Sequence, residues 1–576
     1  MSKKRTDEVI TREELYERGW DDELILMFLP PECKGGGWYK KTVLEIEREN
    51  RHCQHDGFCN IYKMNKKTSE NEMKKQILEE ISIVNPANDY PLARKLHRHF
   101  IINVGETNTG KTYTALQALK QTKCGVYLSP LRLLAMEVQD TLLNEGCLCS
   151  MTTGEEENII PNATVMSSTV EKICLNQHYL VGVIDECQMI SDKERGGAWT
   201  RAILGLCANT IYLCMSEDAL NICISLIEMC DDTYEINYCK RTTPLTMSKK
   251  RVKPTELLTG DAIILFSRKE VLRYAKTLES MGKKVSVIYG ALPYDARKKQ
   301  VELYRNGETD IVVATDAIGM GLNLPIKRII FGASSKFDGR HMRSLQHCEI
   351  KQIAGRAGRR GVYDEGIVSV FTEGDVTLKE IELGLKTPYK PIEKIVIPFP
   401  EECIKENTKV SEVMRIWKKI QYPSIFEPEN LNDRLVKVQY IEGLPWFFDT
   451  ATILALSKVV FDTENEGLFD MYKFMIKNYQ LGKFNKLPSI EQCRTLSEYE
   501  QFHKKLQLYY SFHNSLGIDI DINKLNELKN ELIERINKKL EEEKGSKSVN
   551  RCRLCNCELP PFFKFTICKD CYGSWY

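Results

Sequence analysis

Short apolar runs alternate with amphipathic helical segments between about residues 98 and 370. Alternation of this kind predicts parallel sheets with helices on their faces. The pattern is interrupted at residues 240–254, a basic stretch with threonine and proline, which we interpret as a connector between two α/β lobes. The predicted strands are residues 100–104, 126–128, 180–184, 211–214, 263–266, 285–289, 311–314 and 329–331.

Helical patterns flank this α/β region. After about residue 391 the apolar β runs disappear, and apolar residues recur every three or four positions in the last long segment, at Leu525, Leu528, Leu532, Ile536 and Leu540. Near the start, Thr11 and Glu14 have the spacing of a helix capping box. They begin a small N-terminal module that is either a helix-turn-helix or a helical appendage of the core.

Composition and charge narrow the class of protein. The 576 residues include 81 basic and 80 acidic side chains, so a nucleic-acid surface would have to come from local segregation of charge. The basic start is not followed by the apolar core of a secretory signal, and no apolar run reaches the ~20 residues of a membrane span. The 21 cysteines, scattered through a large chain, are typical of a reduced compartment. We therefore expect a cytoplasmic protein without a membrane partner.

The first chemical motif is Gly105-Glu106-Thr107-Asn108-Thr109-Gly110-Lys111-Thr112, which follows a predicted strand and begins a predicted helix. This is the context of a P-loop, in which backbone N–H groups and a helix N-terminus surround phosphates. Lys111 is expected to reach the β- and γ-phosphates, and Thr112 to bind Mg²⁺. The alternative is a glycine-rich turn without a ligand.

Two carboxylates, Asp185 and Glu186, follow an apolar strand of the same lobe. Asp185 suits Mg²⁺, directly or through water, and Glu186 suits the polarisation of an attacking water. An acidic pair after a strand is weak evidence by itself. In one lobe with a P-loop, the pair predicts a nucleoside triphosphatase.

The second lobe carries two further motifs, Ala314-Thr315-Asp316-Ala317-Ile318-Gly319-Met320-Gly321-Leu322-Asn323 and Gln352-Ile353-Ala354-Gly355-Arg356-Ala357-Gly358-Arg359-Arg360-Gly361. In a helix, Gln352, Arg356 and Arg359 would share one face. Two arginines there suit an arginine finger that reaches the γ-phosphate across a cleft. The alternative is a solvated basic face, which the two glycines disfavour because glycine weakens a helix unless a ligand or chain comes close.

These motifs resemble those of superfamily two helicases, and within them the Suv-three-like RNA helicases of the mitochondrial degradosome and their bacterial relatives. We expect a bacterial or phage-type relative. The sequence Asp185-Glu186-Cys187-Gln188 singles out this family, and the resemblance covers about residues 90–370. Other segments that carry it are Tyr90-Pro91-Leu92-Ala93-Arg94, Ser129-Pro130-Leu131-Arg132-Leu133-Leu134-Ala135, Thr153-Gly154-Glu155 and Tyr289-Gly290-Ala291-Leu292-Pro293. One departure is Met215-Ser216-Glu217, where many members have Ser-Ala-Thr.

The resemblance implies an α/β fold of two RecA-like lobes that close on ATP and Mg²⁺ and move 3′ to 5′ along RNA, with an exoribonuclease as a partner. It assigns catalysis to Lys111, Asp185, Glu186, Gln352, Arg356 and Arg359, and nucleotide binding to Gly105, Thr107, Asn108, Thr109, Gly110, Lys111, Thr112, Gly319 and Gly321. It assigns contacts with the nucleic-acid strand to Pro130, Arg132, Thr153, Gly154, Ser168, Thr169, Phe266, Ser267, Arg268, Gly290 and Thr315. The predicted domains are a helical module (1–60), a linker (61–97), the two lobes (98–245 and 246–390), a helical region (391–545) and a tail (546–576).

The tail is rich in cysteine. The pairs Cys552/Cys555 and Cys568/Cys571 have the spacing of a tetrahedral four-thiolate Zn²⁺ site, with a dithiol redox pair as the weaker alternative. Cys557 is a spare that could replace Cys555. Aromatic and basic residues near the site either stack on bases or pack beneath the metal loop, and they are Phe562, Phe563, Lys564, Phe565, Trp575 and Tyr576. Elsewhere, a second metal site or ordinary reduced cysteines would account for His52, Cys53, His55 and Cys59.

The sequence therefore predicts an ATP-dependent RNA helicase with a zinc-binding tail. One alternative is a DNA helicase or translocase, which the N-terminal module would favour if it read duplex DNA. The other is a non-unwinding, ATP-dependent clamp on nucleic acid. The presence of Lys111, Asp185, Glu186, Arg356 and Arg359 argues against the clamp.

Overall fold

A computed structural model of the chain describes residues 85–545 and 551–573, except residues 155, 320–323, 340, 360, 407, 484, 560–561 and 563–566. Before residue 85 it describes residues 9–17, 25, 38–39, 42–44, 74–75 and 77. The proposed second metal site at His52, Cys53, His55 and Cys59 lies outside the described residues, as does Gly321. The chain divides into two compact units, Met1–Ile81 with Arg415–Ile420, and Ser82–Met414 with Gln421–Tyr576.

In the N-terminal unit, β1 (Val9–Ile10) pairs antiparallel with β2 (Trp38–Tyr39), and α1 (Arg12–Glu17) follows β1. The capping box is formed as predicted. The Thr11 N–H donates to Glu14 Oε2 at 2.9 Å, and the Glu14 N–H donates to Thr11 Oγ1 at 3.3 Å. The pairing of two strands in this module was not predicted from the sequence.

The first lobe is built on one largely parallel sheet. Its strands are β3 (His99–Val104), β4 (Gly125–Ser129), β5 (Cys149–Thr152), β6 (Glu157–Asn158), β7 (Val165–Thr169), β8 (Tyr179–Ile184), β9 (Ala208–Met215) and β10 (Thr233–Tyr238). Their spatial order is β10-β3-β9-β8-β4-β7-β5-β6, and β6 pairs antiparallel with β5. The helices are α2 (Pro91–Arg94), α3 (Lys111–Gln121), α4 (Arg132–Asn144), α5 (Gly196–Gly205) and α6 (Leu220–Met229). The strand β4 is buried throughout, as expected for an apolar run inside a sheet covered on both faces.

The second lobe repeats this plan. Its strands are β11 (Leu245–Met247), β12 (Asp261–Ile264), β13 (Val285–Ile288), β14 (Ile311–Ala314), β15 (Arg328–Phe331) and β18 (Gly366–Val370), in the parallel order β11-β18-β15-β12-β14-β13. A small hairpin joins β16 (Ser335–Phe337) and β17 (Met342–Ser344). The helices are α7 (Arg268–Ser280), α8 (Tyr294–Arg305), α9 (His347–Ala354) and α10 (Leu378–Lys386). The predicted connector thus contains an edge strand, β11, which pairs with β18.

The C-terminal region is mainly helical but not free of strands, because β19 (Ile395–Ile397) pairs in parallel with β20 (Phe426–Pro428). Its helices are α11 (Val410–Trp417), α12 (Asn432–Glu442), α13 (Thr450–Ser457), α14 (Glu466–Gln480), α15 (Leu496–Ser515) and α16 (Ile522–Gly545), with α17 (Lys569–Gly573) in the tail. The apolar face of α16, with Leu525, Leu532, Ile536 and Leu540, shares one buried core with the second lobe. Across the described residues, no helix has both the length and the apolar character to cross a membrane.

Candidate active site

The P-loop joins the end of β3 to the start of α3. Gly110 caps α3 with φ of 85°, a left-handed conformation that glycine adopts without strain, and Asn108 has φ of 65°. Gly105 lies so close to the neighbouring strand that a Cβ there would be 2.4 Å from the Cys239 carbonyl oxygen. The Asn103 side chain donates to the Lys111 carbonyl at 3.2 Å and ties the first turn of α3 to β3. These contacts fix a loop whose backbone and helix N-terminus could hold phosphates.

The Lys111 ammonium lies inside the curve of this loop. Its Nζ donates to the carbonyls of Gly105 and Glu106, each at 2.6 Å. Thr109 Oγ1 donates to the same Glu106 carbonyl at 2.9 Å. A flexible ammonium held only by carbonyls can exchange them for phosphate oxygens, which are stronger acceptors because they carry charge.

Asp185 follows β8 and faces Thr112 across the base of the loop. Thr112 Oγ1 donates to the carboxylate at 3.1 Å, the Tyr127 hydroxyl donates at 2.8 Å, and the Glu186 N–H donates at 2.9 Å. Asp185 is only 3% exposed. Burial, and after it the charge of Glu186, raises the pKa of Asp185 to about 6. A hydroxyl and a buried carboxylate form an oxygen donor pair suited to Mg²⁺.

Glu186 has a left-handed backbone with φ of 51°, which is uncommon for a residue other than glycine. Strain of this kind persists where the surroundings hold a residue in place, and here Gln188 does so. The Gln188 amide donates to the Glu186 carboxylate, and its oxygen accepts from the Ser216 N–H at 3.4 Å. The motif Asp-Glu-Cys-Gln is therefore joined to the segment Met215-Ser216-Glu217.

The two arginines of the second lobe lie in a turn near the P-loop and not, as the sequence had predicted, on a helix. The prediction of a continuous helical face is wrong, because α9 ends at Ala354 and Arg356 and Arg359 lie in the turn that follows. Gly358, with φ of 73°, donates its N–H to the Ile326 carbonyl at 2.9 Å, which turns the chain away from the helix axis.

Arg356 is anchored by the Gly319 carbonyl, to which its Nε donates at 3.0 Å. Burial lowers the pKa of Arg356, and the charges of Glu186 and Asp185 are among those that oppose this effect. The guanidinium is therefore close to the carboxylates of the first lobe. Burial likewise lowers the pKa of Arg359.

The P-loop and the turn after α9 are in direct contact. A Cβ at Gly355 would lie 2.6 Å from Thr107 Cβ, and the Asn108 side chain donates to the Gly358 carbonyl at 3.0 Å. The structure thus brings together the predicted nucleotide residues of both lobes. Gln352 lines the cavity described next and also lies beside Gly319, where a Cβ would be 3.9 Å from Gln352 Cγ.

A cavity of about 540 Å³ lies between the two lobes and helix α15. Of the predicted strand-binding residues, Arg132, Phe266 and Gly290 line it. Its lining also includes basic and aromatic residues that were not predicted, namely Tyr294, Arg297, Lys336, His503 and Lys504. No local motif marks these residues, because His503 and Lys504 come from a helix more than three hundred positions after Arg132.

Arg297, which is buried, and His503, which is partly buried, shape this cavity. Arg297 donates to the carbonyls of Gly290 and Leu292 at 3.1 and 3.0 Å and so fixes the loop after β13, while burial lowers its pKa to about 10. Burial, and after it the charge of Arg132, lowers the pKa of His503 to about 3. His503 is therefore neutral at neutral pH and offers hydrogen bonds without a charge.

The remaining predicted strand contacts lie outside this lining among the described residues. Thr153 Oγ1 donates to the Glu156 carbonyl at 3.0 Å, Ser168 Oγ donates to the Thr169 carbonyl at 3.0 Å, and Gly154 has open space where a side chain would be. The Pro130 carbonyl accepts from Arg195, and Thr315 Oγ1 accepts from the Ala317 N–H at 3.2 Å. Ser267 precedes α7, and Arg268 pairs with Glu500 at 2.7 Å.

Both lobes match the sequence profiles of helicase domains. The profile described as "DEXQ-box helicase domain of Suv3" matches residues 86–239, and "Helicase conserved C-terminal domain" matches residues 249–361. The mitochondrial "DExH-box ATP-dependent RNA helicase DExH16" of Arabidopsis thaliana is 42% identical over 73% of this chain and 76% of that protein. The mitochondrial "ATP-dependent RNA helicase SUV3" of Oryza sativa subsp. japonica is 33% identical over 73% of this chain and 76% of that protein. This chain belongs to the SUV3 helicase family.

Membership in the SUV3 family confirms the predicted fold class of two RecA-like lobes. The Saccharomyces cerevisiae protein "ATP-dependent RNA helicase SUV3, mitochondrial" is 40% identical over 57% of this chain and 46% of its own length. The chain thus spans about half the length of this SUV3 relative. The prediction of a cytoplasmic location is wrong, because the SUV3 relatives are named as mitochondrial proteins.

The cysteine tail lies outside both matched ranges of the SUV3 family. Its four predicted ligands do come together, since the sulfur atoms of Cys552, Cys555, Cys568 and Cys571 all lie within 4.8 Å of one another. The Cys568 N–H donates to Cys552 Sγ at 3.2 Å. Hydrogen bonds from the backbone of Cys555 and Cys568 lower the pKa of Cys552 to about 6. This donor set could hold a metal ion.

Phe562 is buried in a place that neither alternative for the tail's aromatic residues had predicted. Its side chain is 3% exposed, and its ring lies 4.9 Å from the ring of Tyr274 and 5.5 Å from that of Phe371. It packs on the second lobe and is not open to a base. The predictions for Phe563, Lys564, Phe565, Trp575 and Tyr576 concern side chains outside the described residues.

Proposed function

We propose that this chain is an ATP-dependent RNA helicase that moves 3′ to 5′ along a single strand and separates duplexes. One observation carries the proposal. The P-loop and the turn with Arg356 and Arg359 are in contact across the two lobes, beside a basic cavity that the same two lobes enclose. Opening and closing at the nucleotide would therefore change the width of the cavity, which is the coupling that a motor on a strand requires.

The roles of the residues follow from their positions. Lys111 binds the β- and γ-phosphates, and Thr112 and Asp185 would hold Mg²⁺, which would shield the phosphate charge. Glu186, oriented by Gln188, positions and deprotonates the attacking water. Arg356 and Arg359 stabilise the charge that develops on the transferred phosphate.

The strand occupies the cavity in this proposal. Arg132 and Lys504 face its phosphates, and Gly290 leaves room for the backbone. Contacts of this kind give little sequence preference, as a processive motor needs. The other predicted contacts, from Thr153 and Ser168 to Arg268, would extend this path.

The names of the relatives support RNA as the substrate and mitochondria as the site of action. An exoribonuclease partner rests on the family resemblance alone. Kinship with a bacterial or phage-type member stays a prediction of the sequence, since the relatives described above come from a yeast and from plants. The alternative substrate, DNA, is decided by the experiment below.

ATP hydrolysis with matched single-stranded RNA and DNA tests the proposal. We expect RNA to stimulate hydrolysis more than DNA, and we expect Lys111→Ala to abolish it. Lys120→Ala is the matched control, because Lys120 lies on the same helix and pairs only on the surface, with Glu145 at 2.6 Å. Full activity in Lys111→Ala would refute the nucleotide site. Stronger stimulation of hydrolysis by DNA would indicate that the substrate is DNA and not RNA. Tight ATP-dependent binding of RNA without hydrolysis would favour the clamp.

The tail is proposed to hold one Zn²⁺ through Cys552, Cys555, Cys568 and Cys571. Because this short segment has little hydrophobic core of its own, the metal would supply much of its folding free energy. Cys557 is exposed and is not in the cluster. This assignment replaces the dithiol pair because four sulfurs converge rather than two.

A further inference from the structure

The connector between the lobes places one arginine behind the arginine turn. Arg241 Nη1 donates to the Gly355 carbonyl at 2.8 Å, and its Nη2 donates to the Ala357 carbonyl. The same Nη1 lies 3.4 Å from the Thr107 carbonyl of the P-loop, and Nε donates to the Thr243 carbonyl at 2.6 Å. One side chain thus joins the connector, the P-loop and the turn after α9.

Two of these acceptors, the carbonyls of Gly355 and Ala357, lie just past the end of a helix. Gly355 and Ala357 follow the last residue of α9, Ala354, where the carbonyls have no N–H ahead of them in the helix. A cation at this position is also favoured by the helix dipole. The planar guanidinium can donate to several carbonyls at fixed angles, which an ammonium cannot do.

The turn is confined from its other side as well. Gly355 touches Thr107, and Asn108 donates to the Gly358 carbonyl at 3.0 Å. Arg356 lies between the anchored residues Gly355 and Ala357, and Arg359 directly follows the anchored Gly358. The direction of both side chains is therefore set by how firmly the turn is held between the P-loop and Arg241.

We infer that Arg241 is a positioning residue for ATP hydrolysis, which holds the Arg356–Arg359 turn against the P-loop as the lobes close. The inference rests on the proposed ATPase function. Arg241 does not reach the phosphates itself, so it acts on the transition state through the two arginines. Its removal should therefore weaken the binding of a transition-state mimic and leave the binding of ADP nearly unchanged.

The test compares wild-type protein with Arg241→Ala and Arg241→Lys at saturating single-stranded RNA. Since a misplacement of about 1 Å can lower a rate by about 100-fold, we expect kcat to fall by about 10- to 100-fold in Arg241→Ala. KM for ATP and the affinity for ADP should change little. The affinity for ADP with aluminium fluoride should fall by about the same factor as kcat. Arg241→Lys should recover only part of the loss, because lysine lacks the planar guanidinium that donates to several carbonyls at once.

Arg251 provides the matched control. It lies in the same connector and also donates to three carbonyls, those of Phe371, Thr372 and Gly374 at 2.8, 3.1 and 3.1 Å, but all three belong to the second lobe. We expect Arg251→Ala to keep the wild-type kcat and the wild-type affinity for the mimic. If Arg251→Ala loses both as Arg241→Ala does, the effect comes from a loosened connector and the inference is wrong.

Two other results would overturn the inference. They are a kcat of Arg241→Ala within about twofold of wild type, and an equal loss of affinity for ADP and for the mimic. Either would leave the proposed ATPase function intact, because wild-type hydrolysis is measured beside it. If Arg241→Ala does not fold, as judged by circular dichroism and thermal unfolding, Arg241→Lys carries the same comparison. A wild-type protein without ATPase activity would remove the proposed function and the inference with it.

Discussion

Replacement of Phe562 by alanine should release the cysteine tail from the second lobe. The ring is buried against Tyr274 and Phe371, with centroids 4.9 and 5.5 Å away. Arg273 on α7 also donates to the Phe562 carbonyl at 3.2 Å. The described part of the tail has few other buried apolar side chains, since Leu559 is 7% exposed and Leu554 is 52% exposed.

The magnitude follows from this burial. Removal of a buried phenylalanine side chain costs about 3–5 kcal/mol, which includes the loss of two aromatic pairs worth about 0.5–1.5 kcal/mol each. At about 1.4 kcal/mol for each factor of ten, the docking equilibrium should shift by more than about 100-fold. The metal site itself does not contain Phe562, so the tail should keep its metal while it undocks.

Hydrogen exchange of the 576-residue chain, measured in the presence of zinc, follows this shift. In Phe562→Ala, amides of α7 and α17 should exchange much faster than in wild type, and amides of β14 report whether the second lobe as a whole is still stable. Leu554→Ala is the control, because that side chain is exposed, and it should exchange like wild type. Wild-type exchange in Phe562→Ala would refute the reasoning. Loss of RNA affinity with unchanged exchange would return the ring to a base-stacking role.

Three further changes test the chemistry of the sites. Arg359→Ala should reduce ATP hydrolysis far more than ATP binding, since the charge that it meets develops late, and equal losses would assign Arg359 to binding. Metal analysis should find about one zinc per chain, lost in Cys568→Ser with Cys571→Ser but kept in Cys557→Ser, and retention in the double variant would refute the four-thiolate site. Because the pKa of Asp185 is raised to about 6, its ionisation opposes folding as pH rises from about 4 to above 6. Without nucleotide, Asp185→Asn should therefore raise the melting temperature more at pH 7.5 than at pH 5. The gain in the free energy of unfolding has an upper limit of about 3 kcal/mol. A change in melting temperature that is independent of pH would contradict this.

Buried apolar strands could be predicted from the sequence, while buried polar strands could not. The strands β4, β8 and β14 coincide with predicted apolar runs. In contrast, β7 ends in the buried polar residues Ser167-Ser168-Thr169. The hydroxyl groups of the two serines find carbonyl partners, since Ser167 donates to Ala135 at 2.7 Å and Ser168 donates to Thr169 at 3.0 Å. The pattern of polar and apolar residues along a strand cannot predict such hydrogen bonds, because the acceptor can belong to another element of the fold.

The same limit applies to the site. The P-loop was recognised because its conformation depends on its own glycines and on the strand and helix at its ends. The end of α9 was missed because Gly355 ends the helix where it meets Thr107, almost two hundred and fifty positions earlier in the chain. Arg241 and His503 carry no local signature either, and only the packing of the lobes and of α15 gives them neighbours at the site.

The departure at Met215-Ser216-Glu217 has a physical explanation in Gln188. A side-chain amide both donates and accepts, so Gln188 can hold the Glu186 carboxylate with its nitrogen and receive the Ser216 N–H with its oxygen. An ionised aspartate at this position could only accept, and it would repel Glu186. Ser216 in turn donates its hydroxyl to Asp218, whose carbonyl accepts the Ile392 N–H at 2.9 Å from the segment that leaves the second lobe. Glu186 is thus joined through Gln188, Ser216 and Asp218 to the segment that follows the second lobe, and this path depends on the glutamine of the Asp-Glu-x-Gln motif rather than on a Ser-Ala-Thr sequence.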